Sequence, residues 1–154
     1  MARGWRNLCS LRENRMTTLS AITCGRVIFD KVSGMPSVID IVQTINAPRY
    51  PARHPQIVFF CELTNGHGTT KTKVRLVDAH EEEKIIFERE GQVRFGNVKQ
   101  IVTLAMNLQG IVFPRPGEYR FQLFAGGYLL GERRITCRKV KLPPKPGPTE
   151  PQAE

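Results

Sequence analysis

Most catalytic and metal sites depend on histidine, and this sequence has three: His54, His67 and His80. They fall in three separate expected loops, without the HxH, HxxxH or HExxH spacing that places two imidazoles on one ion. A histidine-driven nucleophile would likewise need to be assembled from distant loops. Four cysteines, Cys9, Cys24, Cys61 and Cys137, stand far apart and form no CxxC or Cys/His ligand pattern. Cys61 alternates with Phe59 and Leu63, and Cys137 lies at an inward strand position, so both read as core residues. No metal ion, no cofactor and no catalytic residue is assigned.

Carboxylates give no better start. Glu81, Glu82 and Glu83 are adjacent, so their side chains diverge on a turn, whereas paired acid–base work needs two carboxyls about 5–10 Å apart across a cleft. Asp30, Asp40, Glu62 and Asp78 are scattered singles. The glycine-containing loop 65–70 has neither a GxxxxGK[ST] nor a GxGxxG pattern, and no helix follows it. It is expected to be a hairpin loop, with Asn65-Gly66 as the turn pair.

Basic residues offer the one functional reading with a physical handle. Lys71, Lys73 and Arg75 form a stripe on one strand face, and Arg133, Arg134, Arg138, Lys139 and Lys141 gather on the last strand. On one sheet they would make a patch able to neutralise several phosphates of a nucleic acid or another polyanion. Exposed aromatics for base stacking are not evident, and strand lysines also guard sheet edges against aggregation.

The elements that would carry these residues have period two, bounded by Gly, Pro and Asn clusters. Strands are expected over 18–29 and 36–45, joined by a polar turn at 30–34. The connection through Pro48, Pro51 and Pro55 is extended, because proline cannot serve a central ladder. Further strands are expected at 56–64, from about 70 to 76, and at 84–89. The stretch 98–108 fits a strand face or a helical stripe, and its β-branched Ile101-Val102-Thr103 favours the strand. Around Pro116-Gly117 a turn leads into alternating Tyr119, Phe121 and Leu123. Gly126-Gly127 then turns the chain back along 128–137.

About eight short strands predict an all-β fold: a single antiparallel two-sheet β-sandwich, with a small β-barrel as the alternative. The domain is expected over 16–140. Residues 1–15, with Arg3, Arg6, Arg12 and Arg15 against Glu13, form a basic N-terminal segment that is expected to be disordered, and Met16 is the expected true start. Residues 141–154 form a Pro-rich tail without the means to pack a core. The chain is 40% hydrophobic and 24% charged, which argues against disorder of the whole. Its net charge of +9 favours acidic partners. No export signal precedes the strands and no run is long enough to span a bilayer, so reduced thiols in the cytoplasm, and no membrane, are expected.

The run FPRPGEYRFQLFAGGYLLGERR at 113–134 resembles the closing hairpin of a family of small bacterial all-β proteins of unknown function. The segment 21–45 is similar to that family's first hairpin, so the resemblance spans about residues 16–140. It implies an immunoglobulin-like sandwich, supports Met16 as the start and brings no catalytic residue. The function expected is a non-catalytic interaction or scaffold module that binds a protein partner or itself. Binding of nucleic acid through the basic strands is the second reading, and an enzyme with a loop-borne site is the third.

Overall fold

The computed structural model describes residues 16–143. The segments expected at 1–15 and over most of 141–154 lie outside them. Nine strands make up the fold: β1 (Thr17–Phe29), β2 (Pro36–Ile41), β3 (Thr44–Ala47), β4 (Ala52–Thr64), β5 (Gly68–Asp78), β6 (Lys84–Phe95), β7 (Val102–Phe113), β8 (Gly117–Ala125) and β9 (Tyr128–Lys139). They form a four-stranded sheet, β2-β1-β4-β7, and a five-stranded sheet, β3-β9-β8-β5-β6. Every pairing is antiparallel except β3 with β9. The two-sheet all-β fold expected from the alternation is the one observed. The described residues include no helix long and apolar enough to cross a membrane.

Alternation explains the core. Ile57, Phe59, Cys61 and Leu63 of β4 turn toward Val74 and Leu76 of β5 and Tyr119, Phe121 and Leu123 of β8, and all are sealed from solvent. The rings of Phe59 and Phe121 meet across the sheets at 6.2 Å, and Phe113 stands edge-on to Tyr119 at 5.1 Å. Burial of each such side chain stabilises the fold by about 1.5–3 kcal/mol. Residues 98–101 are not strand, but β7 from Val102 onward is, and Met106 and Leu108 fill its inner face.

Four expectations are corrected. The strand expected over 36–45 is two strands in different sheets, which is why nine are seen. Simple alternation over 36–45 would put Ile39, Ile41, Gln43 and Ile45 on one face, but Asp40 adopts a left-handed φ of 57° and breaks it. The chain changes sheets immediately afterwards. Val42 N–H still donates to Thr23 C=O of β1 at 2.7 Å, whereas Gln43 C=O already accepts from Thr136 N–H of β9 at 3.1 Å. Ile45 ends in the core while Ile41 is exposed.

Second, β4 begins at Ala52, so Pro55 and His54 are strand residues and His54 is not in a loop. Pro55 is tolerated because β1 pairs with β4 only as far as Cys24 opposite Val58, leaving that edge of β4 without a ladder to serve. Third, Asn65-Gly66 does not close a hairpin: β4 and β5 belong to different sheets, and the turn is a corner between them. A Cβ on Gly66 would lie 2.2 Å from the Phe95 ring, so only glycine lets Phe95 seal that corner. Fourth, β6 runs on to Phe95 through Gly91 instead of ending near Arg89. A side chain at 91 would meet Met106 Cε at 3.0 Å, and the missing Cβ makes room for the opposite sheet.

Candidate interaction surfaces

The cations singled out in the sequence are dispersed by the register. Lys73 and Arg75 sit on the outer face of β5, directly opposite Glu90 and Glu88 of β6. Lys73 Nζ lies 3.2 Å from Glu88 and 3.7 Å from Glu90, and Arg75 Nε lies 3.0 Å from Glu88. The Arg75 guanidinium also covers the Phe124 ring at 4.9 Å. These contacts, the Lys73 hydrogen bond first, hold the Glu88 carboxyl below the usual glutamate range. On β9, Arg134 pairs with Glu118 at 3.2 Å. Arg120 bridges Glu118 and Glu132 beside it at 3.3 and 3.7 Å. Arg133 shares the inward face with Phe121, its partner in register, and its Nε is buried with no hydrogen-bond partner among the described residues.

Lys71 alone of the β5 stripe makes no ion pair among the described residues. It borders a cleft of about 500 Å³ between Glu90–Gln92 of β6 and the Gly126-Gly127 turn. The carboxylate of Glu90 at that rim counts against a polyanion.

Arg138 and Lys139 are placed differently. β8 starts at Gly117 opposite Cys137, so beyond Cys137 the last strand pairs only with β3: Arg138 with Asn46 and Lys139 with Ala47. Val140 N–H donates to Ala47 C=O at 3.1 Å and extends the pairing. The loop after β3 folds back on it, with the Tyr50 hydroxyl donating to Arg138 C=O at 2.8 Å. Arg49 of this loop, Arg138 and Lys139 on opposite faces of β9, and Lys141 beyond its end are all exposed. None of them makes an ion pair among the described residues.

A second cluster looked like scattered residues in the sequence. Asp78 is 2% exposed. Its Oδ1 accepts from His80 N–H at 2.9 Å and its Oδ2 from Arg115 Nε at 3.2 Å. Arg115 Nη1 reaches Glu81 at 3.1 Å. The Tyr119 hydroxyl donates to Arg115 C=O at 2.6 Å and accepts from Arg115 N–H at 3.2 Å. Burial pushes the Tyr119 phenol up to about 12. Both Asp78 oxygens and the Tyr119 hydroxyl thus take part in fixing the 79–81 turn and the β7–β8 connection.

The cysteines of the described residues are enclosed, whereas His67 and His80 are exposed and stand apart on the 65–67 corner and the 79–83 turn. Cys24, Cys61 and Cys137 are free and buried, and desolvation pushes the last two thiols up to about 12. Burial lowers the His54 imidazole. Among the described residues no three His, Cys, Asp or Glu side chains converge as a metal site would require.

The four-stranded sheet carries the other conspicuous surface. Beyond Cys24, β1 leaves β4 and continues with β2 alone, from Arg26 opposite Ile39 to Phe29 opposite Pro36. This ribbon lies over the outer face, where Val27 and Val38 cover Cys24, Val58 and Phe60 in a small second core. Its tip is firmly tied. Asp30 Oδ1 accepts from Val32 N–H at 2.9 Å, Ser33 N–H at 2.7 Å and Ser33 Oγ at 3.0 Å. These bonds lower the Asp30 carboxyl, the Ser33 backbone bond most. The tip nevertheless displays Val32 at 97%, Met35 at 68% and Phe29 at 50% exposure.

The sequence profile of a family of unknown function (DUF6941) matches residues 19–138, from within β1 to the end of β9. The chain belongs to that family. The match takes in both sheets, the ribbon and every strand residue except Thr17, Thr18 and Lys139. No curated protein matches the chain. In this DUF6941 member, sequence reading missed the apolar ribbon tip and Arg49. The tip was hidden because Asp30, Ser33 and Gly34 read as an ordinary turn. Arg49 was hidden in a proline-rich connection, although one signal was available: residues 41–61 contain no Asp or Glu.

Proposed function

We infer that this protein is a non-catalytic binding module, an immunoglobulin-like sandwich that engages a protein partner through the β1–β2 ribbon. Support for the immunoglobulin-like reading comes from the β3-β9-β8-β5-β6 order, the switch of the first-edge strand between sheets, and the tyrosine corner at Tyr119. Phe59 and Phe121 meet where such domains join their sheets. The observation that carries the binding role is the ribbon tip. An ordered turn holds large apolar side chains in water, a cost that a fold does not need for its own stability. The turn is already organised by Asp30, so binding loses little further entropy. The tip is a knob and fits a hollow on another protein; two copies related by a two-fold axis would set knob against knob. Reduced, buried thiols suit a cytoplasmic setting.

A photo-crosslinking residue at Val32 in cells of the source organism, compared with one at Gln92 on the other sheet, tests this. One defined heterologous adduct specific to position 32 is expected. Replacing Val32 and Met35 with Ser should weaken that partner about tenfold to a hundredfold. Equal adducts from both positions, or adducts of the chain with itself alone, would overturn the reading.

A further inference from the structure

The cations of this chain divide into those that face a carboxylate and those that do not, and the second kind is concentrated at one place. Residues 41–61 contain no Asp or Glu, and neither do residues 133–149. Parallel pairing of β3 with β9 sets Thr44–Ala47 of the first stretch beside Thr136–Lys139 of the second at the edge of the five-stranded sheet. The result is a sheet edge that carries Arg138 on one face of β9 and Lys139 on the other, with Arg49 and Lys141 in the flanking connections and neutral Thr44, Asn46 and Ala47 on β3. We propose that this β3–β9 edge binds the phosphate backbone of nucleic acid without reading its sequence.

Three features point to phosphate. The edge strand itself is uncharged and only four residues long, so these cations are not placed as an aggregation guard on β3. Two of the four are guanidinium groups, whose planar forks match phosphate oxygens. The Tyr50 hydroxyl is already bonded to Arg138 C=O, and no aromatic anchor of the sort that centres a protein interface stands free there. A backbone-phosphate surface needs no such anchor.

The test is binding of short duplex DNA of mixed sequence to the full chain, by fluorescence anisotropy over a salt series. With four contacts the slope of log K on log salt is expected near −3.6, so affinity falls roughly a hundredfold between about 50 and 200 mM. Arg138→Gln with Lys139→Gln should reduce that slope by about 1.8 while leaving the melting temperature unchanged. Lys73→Gln, on the compensated face, and Leu142→Ser, the exposed apolar neighbour, should each leave slope and affinity as they were. Absence of binding at the lowest salt would overturn the proposal. So would an equal loss on changing Lys73, or a loss on changing Leu142, which would indicate an anionic membrane or an acidic protein. Crosslinking at Val32 is read independently, so either proposal can fail alone.

Discussion

On the outer face of the five-stranded sheet, Lys73, Arg75, Arg120 and Arg134 each find a carboxylate on the neighbouring strand. At the β3–β9 edge of the same sheet, Arg49, Arg138, Lys139 and Lys141 find none among the described residues. The residue types are the same, so composition does not separate the two groups, although Lys73, Arg75 and Arg120 are half-buried and the edge cations, like Arg134, are exposed. Register does. An antiparallel neighbour of opposite charge turns a cation into a cross-strand tie worth a few tenths of a kcal/mol. A cation beyond the end of its neighbour keeps its field for an outside partner. The net charge is thus less informative than where the carboxylates run out.

The firmest case of compensation should show the largest effect. Asp78 is buried and carries Arg115 and the His80 N–H, so Asp78→Ala removes a charge-assisted pair and leaves those donors unmet. Because Arg115 is partly exposed, the expected loss is about 2–3 kcal/mol and not the full penalty of a buried pair. That corresponds to a melting temperature lower by roughly 5–12 °C in a thermal melt followed by circular dichroism. A drop no larger than that of an exposed pair would mean that Asp78 does not organise the β7–β8 corner.

How much of this was legible beforehand follows the range of the interactions. The closing hairpin could be read because Tyr119, Phe121 and Leu123 alternate and Gly126-Gly127 takes the left-handed φ values, 56° and 84°, that a two-residue turn requires. The division between β2 and β3 could not, because Ile39, Ile41 and Ile45 look like one face until Asp40 reverses the backbone. Likewise Asn65-Gly66 has hairpin chemistry, and only the Phe95 ring pressed against Gly66 makes it an inter-sheet corner. The basic stripe of Lys71, Lys73 and Arg75 was visible, but its neutralising partners Glu88 and Glu90 arrive from another strand. Ion pairs set by register are non-local, and a single sequence does not print them.

The uncompensated edge depends on being held in place, and Tyr50 is its tie. Tyr50→Phe deletes the bond to Arg138 C=O and should cost about 1 kcal/mol. Hydrogen exchange of the Val140 and Thr136 amides should quicken more than that of amides in β8. Burial raises the Tyr50 phenol. Its stabilising contribution is therefore complete below the unfolded phenol value of about 10 and is lost as pH rises through the folded one. If exchange at the edge does not change, the cations there are displayed by β3 and β9 alone.

The smallest effect is the most direct on the comparison, since it turns one region into the other. Glu88 holds both Lys73 and Arg75, and Glu88→Gln leaves Lys73 with Glu90 alone and Arg75 with no ion pair among the described residues. On a heparin column the variant should elute at slightly higher salt than the parent, by about the increment expected from one or two added contacts. The parent should show the same change on acidification. With the folded Glu88 value depressed, its ties are intact above the unfolded value of about 4.3 and are lost as pH falls through the folded one. Elution identical to the parent at neutral pH would mean that cross-strand carboxylates do not control which cations are available. The distinction between face and edge would then have to rest on geometry alone.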